Sequence, residues 1–316
     1  MSTSSHHPII TIVIPVYNRP KLVIRTLDSI LSQDYRPLQV IVVDNGSTDN
    51  TYAAVEQWVK NLEDNQLSVN ILRANKKGAS YARQQGVEMV TTPWVMHFDS
   101  DDTMRPGHIS RIVKGINDHP EADILGWDVI THQLDNRHKI NRFYANNPMV
   151  NHIFHASLST QRYAVRTELL KRCGGWETDI AGWDDYVLGI KLLLHKPVLA
   201  KLGNEITVDM YSQQESVSGC TFSEKQGEWE AALDRSQQLI LQFNRPELLK
   251  WIDARRAIVA GHYTSEDNPQ GIKLLETTCH GKSRYHRWAL TRIHSHVAHK
   301  RKGTAWLCRI LLTNTQ

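Results

Sequence analysis

The 316-residue sequence has few cysteines, no long apolar run and no acidic residue in its last forty positions. Its four cysteines stand far apart and form no C-x-x-C pair, so the spacing predicts neither a disulfide framework nor a zinc cluster. No stretch approaches the ~20 apolar residues of a membrane-spanning helix. Residues 1–8 are polar, and the apolar run after them lacks the basic segment of a signal peptide. We therefore expect a cytoplasmic protein with reduced thiols.

The absence of acids near the end makes the charge distribution uneven. Residues 277–316 contain 8 of the 37 Lys and Arg residues and none of the 33 Asp and Glu residues, which leaves 29 basic residues against 33 acidic ones elsewhere. The net charge of +4 therefore comes from this tail. Large apolar residues lie among its cations: Trp288, Trp306, Leu307, Ile310 and Leu311.

This composition is typical of segments that lie on anionic membrane surfaces, so we expect peripheral association with the cytoplasmic face of the inner membrane. We expect no nucleic acid partner, because no recognition motif accompanies the basic tail. In the alternative, the tail is part of a helical core, with four residues packed inward: Trp288, Ile293, Val297 and Trp306.

Strand and helix patterns alternate through the first 130 residues. Four segments have the apolar composition of strands: 9–16, 38–43, 68–72 and 94–98. Apolar residues at helical spacing predict helices between them, around 23–31, 51–62 and 80–89. This order predicts an α/β fold with a mostly parallel, doubly wound sheet flanked by helices. Ligands of such sheets bind beyond the carboxyl ends of the strands.

Three of the predicted strands end in acidic or amide residues. The first continues into PVYNR at 15–19, the second into DNGS at 44–47 and the fourth into DSDD at 99–102. On an extended strand Asp99 and Asp101 project to one side, and Asp102 to the other unless the chain turns.

Five stretches occur in the order found in family 2 glycosyltransferases, and through them the chain resembles that family. They are PVYNR (15–19), VVDNGSTDNT (42–51), GASYARQQG (78–86), FDSDD (98–102) and CGGWETDIAGWDDYVLGIKL (173–192). The resemblance covers 9–218 and implies a GT-A fold. It also implies metal-dependent, inverting transfer of a sugar from a nucleoside diphosphate to an acceptor hydroxyl, in cell-surface polysaccharide or glycan synthesis.

The resemblance also suggests how the chain is divided. A catalytic domain is expected over 1–218, with a nucleotide-binding half at 9–102 and an acceptor-binding half at 103–218. Apolar stripes at helical spacing then predict a helical C-terminal extension at 219–316.

The last Asp of the D-x-D motif binds Mn²⁺ or Mg²⁺ in the resembled family, which implies this role for Asp101 and places Asp99 near the ribose and diphosphate. A departing diphosphate gains negative charge, which a bound cation neutralises without a proton donor. The alternative is a solvated acidic turn that caps the next helix. Gln214 stands where the family often has a histidine, so no third ligand is assigned.

The resemblance assigns three residues to the base and ribose: Pro15, Tyr17 and Asn18. It places Asp44 where it accepts a hydrogen bond from a pyrimidine ring N–H, which uracil offers and cytosine does not, so a UDP-sugar is favoured. Arg73 and Arg83 are expected near the base and the diphosphate. A surface salt bridge is an equally good account of either arginine.

Asp184 and Asp185 open a predicted helix, whose positive end favours their ionised forms. In the family an aspartate at this point takes the proton from the acceptor hydroxyl, so Asp185 inherits the role of general base. Asp184 stands beside it where the family has glutamate. The alternative is simple N-capping. A single base and a single displacement imply inversion, since nothing marks a second, nucleophilic carboxylate.

The acceptor is expected to be a glycan or a lipid-linked glycan that enters near 141–161, a predicted loop whose His152 and His155 we leave unassigned. Two other function classes remain open. A nucleotidyltransferase that makes sugar nucleotides shares such a sheet, but normally has a Gly-rich basic loop after its first strand. A non-catalytic nucleotide- or carbohydrate-binding relative is disfavoured by the presence of Asp101 and Asp185.

Overall fold

The computed structural model describes residues 8–213 and 221–313. Within these ranges the chain forms the following strands: β1 (Ile10–Val16), β2 (Leu38–Asp44), β3 (Leu67–Arg73), β4 (Trp94–His97), β5 (Thr103–Met104), β6 (Ile124–Gly126), β7 (Val129–His132), β8 (His138–Asn141), β9 (Tyr163–Arg166), β10 (Leu199–Lys201) and β11 (Val208–Tyr211). The α-helices of the same ranges are α1 (Pro20–Leu31), α2 (Thr51–Lys60), α3 (Ala79–Glu88), α4 (His108–Asp118), α5 (Pro148–His155), α6 (Thr167–Arg172), α7 (Asp184–Leu194), α8 (Gln226–Gln242), α9 (Leu249–Ser265), α10 (Gln270–Cys279), α11 (Arg284–Ala298) and α12 (Thr304–Leu312).

The larger sheet has the strand order β10-β6-β9-β4-β1-β2-β3. All its neighbouring strands are parallel except β9, which runs antiparallel to both β4 and β6. The predicted α/β fold with a mostly parallel sheet is confirmed. Because β1, β2 and β4 are parallel neighbours, their carboxyl ends bring the three polar motifs of the sequence to one edge.

The helices that carry site residues pack closely on this sheet. Helix α1 begins at Pro20, whose fixed φ suits a first helical position, and buries Val23, Leu27 and Ile30 against the sheet. Helix α3 approaches β1 through Gly86, where a Cβ would lie 2.4 Å from a Val13 methyl group. Glycine at this position therefore fixes how close α3, with Arg83, lies to the sheet.

A smaller sheet with the order β5-β11-β7-β8 lies beside the acidic motif that follows β4. The Tyr211 amide, at the end of β11, donates to Asp102 Oδ1 at 2.9 Å. This bond ties the small sheet to the site edge of the large one.

The predicted helical extension is present as α8 to α12. Its buried residues form one hydrophobic cluster with those of α5 and α7, including Trp229, Trp251 and Ile293. The extension therefore packs directly on α7, the helix that begins at Asp184. The expected domain boundary at 218 lies outside the described residues. No helix in the described ranges is long and apolar enough to cross a membrane.

The prediction of a loop over 141–161 is wrong for its central part, which forms α5. Pro148 starts this helix, and Ile153 and Phe154 pack against α7 and α9. His152 is fully buried, with its Nε2 2.9 Å from the Tyr186 carbonyl oxygen. Gly189 on α7 makes room for this imidazole, because a Cβ there would lie 2.3 Å from the His152 ring. The apolar stripe of α5 is short and interrupted by asparagine and histidine, so the sequence pattern does not predict a helix here.

Candidate active site

The D-x-D segment turns immediately after β4, which ends at His97. The Asp102 amide donates to the Asp99 carbonyl at 3.3 Å, so the segment is no longer extended. Gln161 Nε2 donates to Asp99 Oδ2 and to Asp102 Oδ2, each at 2.5 Å. The chain therefore turns, which is the exception stated for the alternating arrangement, and the amide of Gln161 joins the carboxylates of Asp99 and Asp102.

Asp101 is 7% exposed, and its Oδ2 accepts a hydrogen bond from Arg19 Nη1 at 2.5 Å. Arg25 donates to the main-chain carbonyl of the same residue. Burial and the nearby Asp99 raise the pKa of Asp101, although Arg19 opposes them. Asp101 is thus a largely buried carboxylate that faces cationic groups.

The residues present fit a divalent cation shared with a diphosphate. Mg²⁺ is usually bound through one or two carboxylates together with substrate phosphates, and not by a closed protein cage. The described part of the chain contains no convergent group of three His, Cys, Asp or Glu side chains. Asp101 and Asp99 offer the hard oxygen donors that such an ion prefers. Gln214, the position of the family's histidine, lies outside the described residues.

Arg83 joins the D-x-D segment to the start of α7, where the predicted general base Asp185 lies. Its Nη2 lies 2.8 Å from Asp99 Oδ1, and its Nη1 lies 2.7 Å from Asp184 Oδ2. Its guanidinium also stacks 4.9 Å from the ring centre of Trp176. Burial disfavours the charge on Arg83, but Asp184 and Asp99 outweigh it, so the pKa of Arg83 is raised. The predicted diphosphate contact is in this structure a bridge between two carboxylates.

Asp185 lies in the first turn of α7. Its Oδ1 accepts from the Tyr186 amide at 2.8 Å, and Asp184 Oδ1 accepts from the Asp185 amide at 3.0 Å. Burial, followed by the charge of Asp184, raises the pKa of Asp185 to about 7. The helix N-terminus was expected to favour the ionised form, and burial outweighs it. A pKa near the working pH suits a proton acceptor.

The ends of β1 and β2 are held together by side-chain hydrogen bonds. Asn18 Oδ1 accepts from the Thr48 amide at 2.8 Å, and the Asn18 amide donates to Ser47 Oγ at 3.0 Å. Asp44, 1% exposed, accepts from the Ser47 amide at 3.2 Å. Tyr17 beside them is 43% exposed. Three of the predicted nucleotide contacts, Tyr17, Asn18 and Asp44, therefore lie in one place.

Two other predicted nucleotide contacts lie beside this group, Pro15 in β1 and Arg73 in β3, opposite Asp44. Pro15 is buried within β1, opposite Val43 of β2. The last residue of β1 that pairs with β4 is Val13, so Pro15 lies beyond the part of β1 that β4 covers. Its missing N–H therefore leaves no unmet bond to β4. Arg73 stacks its guanidinium 4.2 Å from the ring centre of Tyr52.

Three residues that contact the acidic motif were missed from the sequence: Arg19, Arg25 and Gln161. Arg19 belongs to the PVYNR motif, so its position was a usable signal. Gln161 lies in a short turn outside every motif, and no sequence pattern marks it. Gln84, also unassigned, accepts from the Trp176 amide at 2.9 Å and so fixes the loop before α7 to α3.

Comparison with known proteins is consistent with this geometry. The model of the family described as Glycosyl transferase family 2 matches residues 11–176, more than half of the chain. Glycosyltransferase GlyG of Streptococcus pneumoniae is 29% identical over 117 residues, which are 37% of this chain and 38% of that protein. The succinoglycan biosynthesis protein ExoO of Rhizobium meliloti is 30% identical over 128 residues, 40% and 34% of the two chains. The chain thus spans little more than a third of the length of these relatives.

Solved structures are similar over nearly the whole chain. The crystal structure of S. aureus TarS 1-349 in complex with UDP-GlcNAc gives a TM-score of 0.68 at 18% identity, and covers 96% of this chain and 90% of its own. The mannosyltransferase PcManGT from Pyrobaculum calidifontis, in complex with GDP-Man and Mn²⁺, gives 0.58 at 17% identity, with 98% and 86% covered. At these identities the likeness shows the fold, which is of the GT-A type. The chain belongs to glycosyl transferase family 2.

Proposed function

We propose that the protein is an inverting glycosyltransferase that moves a sugar from a UDP-sugar to an acceptor hydroxyl in glycan or cell-surface polysaccharide synthesis. The observation that carries this proposal is the bridge of Arg83 between Asp99 and Asp184. One guanidinium holds a carboxylate of the donor motif on one side and the neighbour of Asp185 on the other. A donor and an acceptor bound at these two points would meet beside Arg83.

The choice of uridine rests on Asp44 and on a structural relative. Asp44 is a buried carboxylate at the end of β2, next to the exposed Tyr17 and Asn18, and a carboxylate accepts from the uracil ring N–H. TarS, which has the same fold, is known in complex with UDP-GlcNAc. The complex of PcManGT with GDP-Man makes a guanosine donor the competing choice.

The proposed chemistry is a single displacement. Asp185 would take the proton from the acceptor hydroxyl as its oxygen attacks the anomeric carbon. Arg83 holds Asp184 in place by an ion pair, and its charge keeps the pKa of Asp185 from rising further under the effects of burial and Asp184. Asp101 and Asp99 would hold Mn²⁺ or Mg²⁺, which when bound neutralises the charge on the departing diphosphate.

The acceptor class proposed is a glycan, including glycans on lipid carriers. One relative, 26% identical over 111 residues, is the GalNAc(5)-diNAcBac-PP-undecaprenol beta-1,3-glucosyltransferase of Campylobacter jejuni. The name of that relative describes a lipid-linked acceptor, which supports this class.

We also propose a cytoplasmic location at an anionic membrane surface. Ile293 and Val297 are buried, but Trp306 is 67% exposed, Ile310 51% and Trp288 46%. The alternative in which Trp288, Ile293, Val297 and Trp306 all pack inward therefore holds for Ile293 and Val297 but not for the two tryptophans. The two exposed tryptophans lie on α11 and α12. Basic residues of α11 and of the connection between the two helices have no acidic partner in the described ranges: Arg284, Arg287, Arg292, Lys300, Arg301 and Lys302.

The first experiment is a panel of nucleotide sugars scored for thermal stabilisation and slow hydrolysis, each with Mn²⁺, with Mg²⁺ and with chelator. A ligand that binds the native state raises its stability by mass action, so the true donor should raise Tm most. A nucleotidyltransferase would instead bind a nucleoside triphosphate with a sugar phosphate. Stabilisation by no nucleotide would contradict the proposed function.

A further inference from the structure

Arg255, on α9 of the extension, packs against Trp183 and has no partner for its charge within the described ranges. Its guanidinium carbon is 4.6 Å from the ring centre of Trp183, the residue that precedes Asp184 and Asp185. Its Nε is buried and unbonded, and no hydrogen bond or ion pair of Arg255 is formed within the described ranges. Arg255 is partly buried, and a partly buried cation without a counter-ion can gain from a negatively charged ligand.

Arg162 reaches the same region from the turn before β9. It is 3% exposed, its Nη1 donates to the Ala156 carbonyl at 3.0 Å, and its Nε is buried and unbonded. Asp128 and Asp185 are the carboxylates that act on its pKa. Asp128 is already bonded to Lys201 at 2.9 Å, so it serves Arg162 only in part.

The pKa of His155, at the end of α5, is sensitive to the positive charges around it. Burial lowers its pKa, and four cations lower it further: Arg309, Arg255, Arg162 and Lys139. They come from α12, α9, the turn before β9, and β8. Arg309 is also anchored to α5, since its Nη2 donates to Asn151 Oδ1 at 2.5 Å. Arg162 and Arg309 are thus bonded to α5 and to the residue that follows it, and Arg255 and Lys139 add positive charge around His155.

We propose that Arg255, Arg162, Arg309 and Lys139, here called the basic cluster, bind a phosphate group of the acceptor. The inference rests on the proposed function, because it takes Asp185 as the point where the acceptor hydroxyl is held. Guanidinium groups match phosphate oxygens with paired N–H donors, and several converging cations suit a group with more than one negative charge. The substrate class is therefore a glycan that bears a phosphate ester or diphosphate, and the cluster sets the distance from that phosphate to the reacting hydroxyl.

The test is calorimetric titration of the full chain with inorganic phosphate, while UDP and Mn²⁺ fill the donor site. Arg255→Gln should weaken phosphate binding by about tenfold or more, the usual loss for one charge-assisted hydrogen bond to an anion. Arg256→Gln is the matched control, because Arg256 is on the same helix but pairs with Asp234 at 2.7 Å. Its phosphate affinity should equal that of the wild type.

Two further probes, a sugar 1-phosphate and a short-chain isoprenyl diphosphate, separate the sources of the phosphate. The basic cluster is supported if either probe binds more tightly than its unphosphorylated alcohol and this gain is lost in Arg255→Gln. The probe that shows the gain tells whether the phosphate is soluble or lipid-linked. Phosphate that does not bind in the millimolar range, or that binds Arg255→Gln as well as wild type, overturns the inference. If UDP with Mn²⁺ also fails to stabilise the wild type, the proposed function has failed; if only phosphate fails, it has not.

Discussion

Asp184 lies 2.7 Å from the Arg83 guanidinium, although the two residues are 101 positions apart in the chain. The contact joins α3, which belongs to the predicted nucleotide-binding half, to α7, which carries Asp185, the predicted general base. Because Arg83 also holds Asp99, a shift of either helix would be felt at both ends of the site. The first prediction concerns this bridge.

Arg83→Gln should destabilise the protein by about 3–5 kcal/mol near neutral pH, because it leaves buried carboxylates without their cation. Asp184 and Asp185 would then repel each other without the compensating charge of Arg83, and their pKa values would rise. Protonation relieves the repulsion, so the loss should be smaller at about pH 5 than at about pH 8. Urea unfolding at both values measures it.

The control for this variant is Arg73→Gln, which removes an exposed arginine that stacks on Tyr52. Its effect should be small and the same at both pH values. If the loss of stability in Arg83→Gln is as small as in Arg73→Gln and does not change with pH, the bridge between Asp99 and Asp184 contributes little to stability.

Asp101→Asn should abolish the metal-dependent part of the stabilisation by UDP. The amide keeps the shape of the side chain and its contact with Arg19, but it binds Mn²⁺ or Mg²⁺ poorly because its charge is gone. Melting temperatures with UDP are compared in metal and in chelator. If wild-type protein is stabilised by UDP equally in both, Asp101 is not a metal ligand.

Asp185→Asn should retain donor binding and lower the transfer rate by roughly 10²–10⁴, the usual contribution of a positioned proton acceptor. Asp179→Asn is a suitable control, because Asp179 precedes the same helix and its side chain is 64% exposed. Rates are measured at saturating donor. Near-normal turnover in Asp185→Asn would transfer the role to Asp184.

The raised pKa of Asp185 predicts the acid limb of the pH profile. Only the ionised carboxylate accepts a proton, so kcat/KM should fall as pH drops through a value near the Asp185 pKa of about 7. An ordinary aspartate would lose activity only near about pH 4. Since Asp184 raises this pKa, Asp184→Asn should move the limb to lower pH. A limb that stays in place would separate Asp184 from the base.

Sedimentation with anionic liposomes tests the membrane proposal. Wild-type protein should pellet at low salt and be released at high salt, because each Lys or Arg near the surface contributes only about 1 kcal/mol and is screened. Trp306→Ala should reduce the pelleted fraction, whereas Met89→Ala, at another exposed apolar residue, should not. Wild-type protein that stays in the supernatant at low salt would end the proposal.

The sequence was sufficient for the large elements and for the motifs at strand ends. β1 to β4 start and end within one residue of their predicted limits, because buried apolar runs mark them clearly. Contacts between distant segments were less accessible. No local sequence pattern predicts that Gln161 joins Asp99 to Asp102, because that contact depends on how the two halves pack. The contact of Arg255 with Trp183 likewise depends on how the extension packs on the catalytic domain.

Helix α7 has no side that faces solvent: every residue from Tyr186 to Leu194 is buried, between α5, the extension and the sheet. A helix enclosed in this way cannot fray or melt alone, because its exposure would open both neighbouring cores at once. We therefore expect the sheet and the C-terminal helices to unfold in one cooperative transition. Amide protons of α7 should exchange with solvent as slowly as those of β1, so that the proposed general base, Asp185, is lost from the site only when the whole molecule opens.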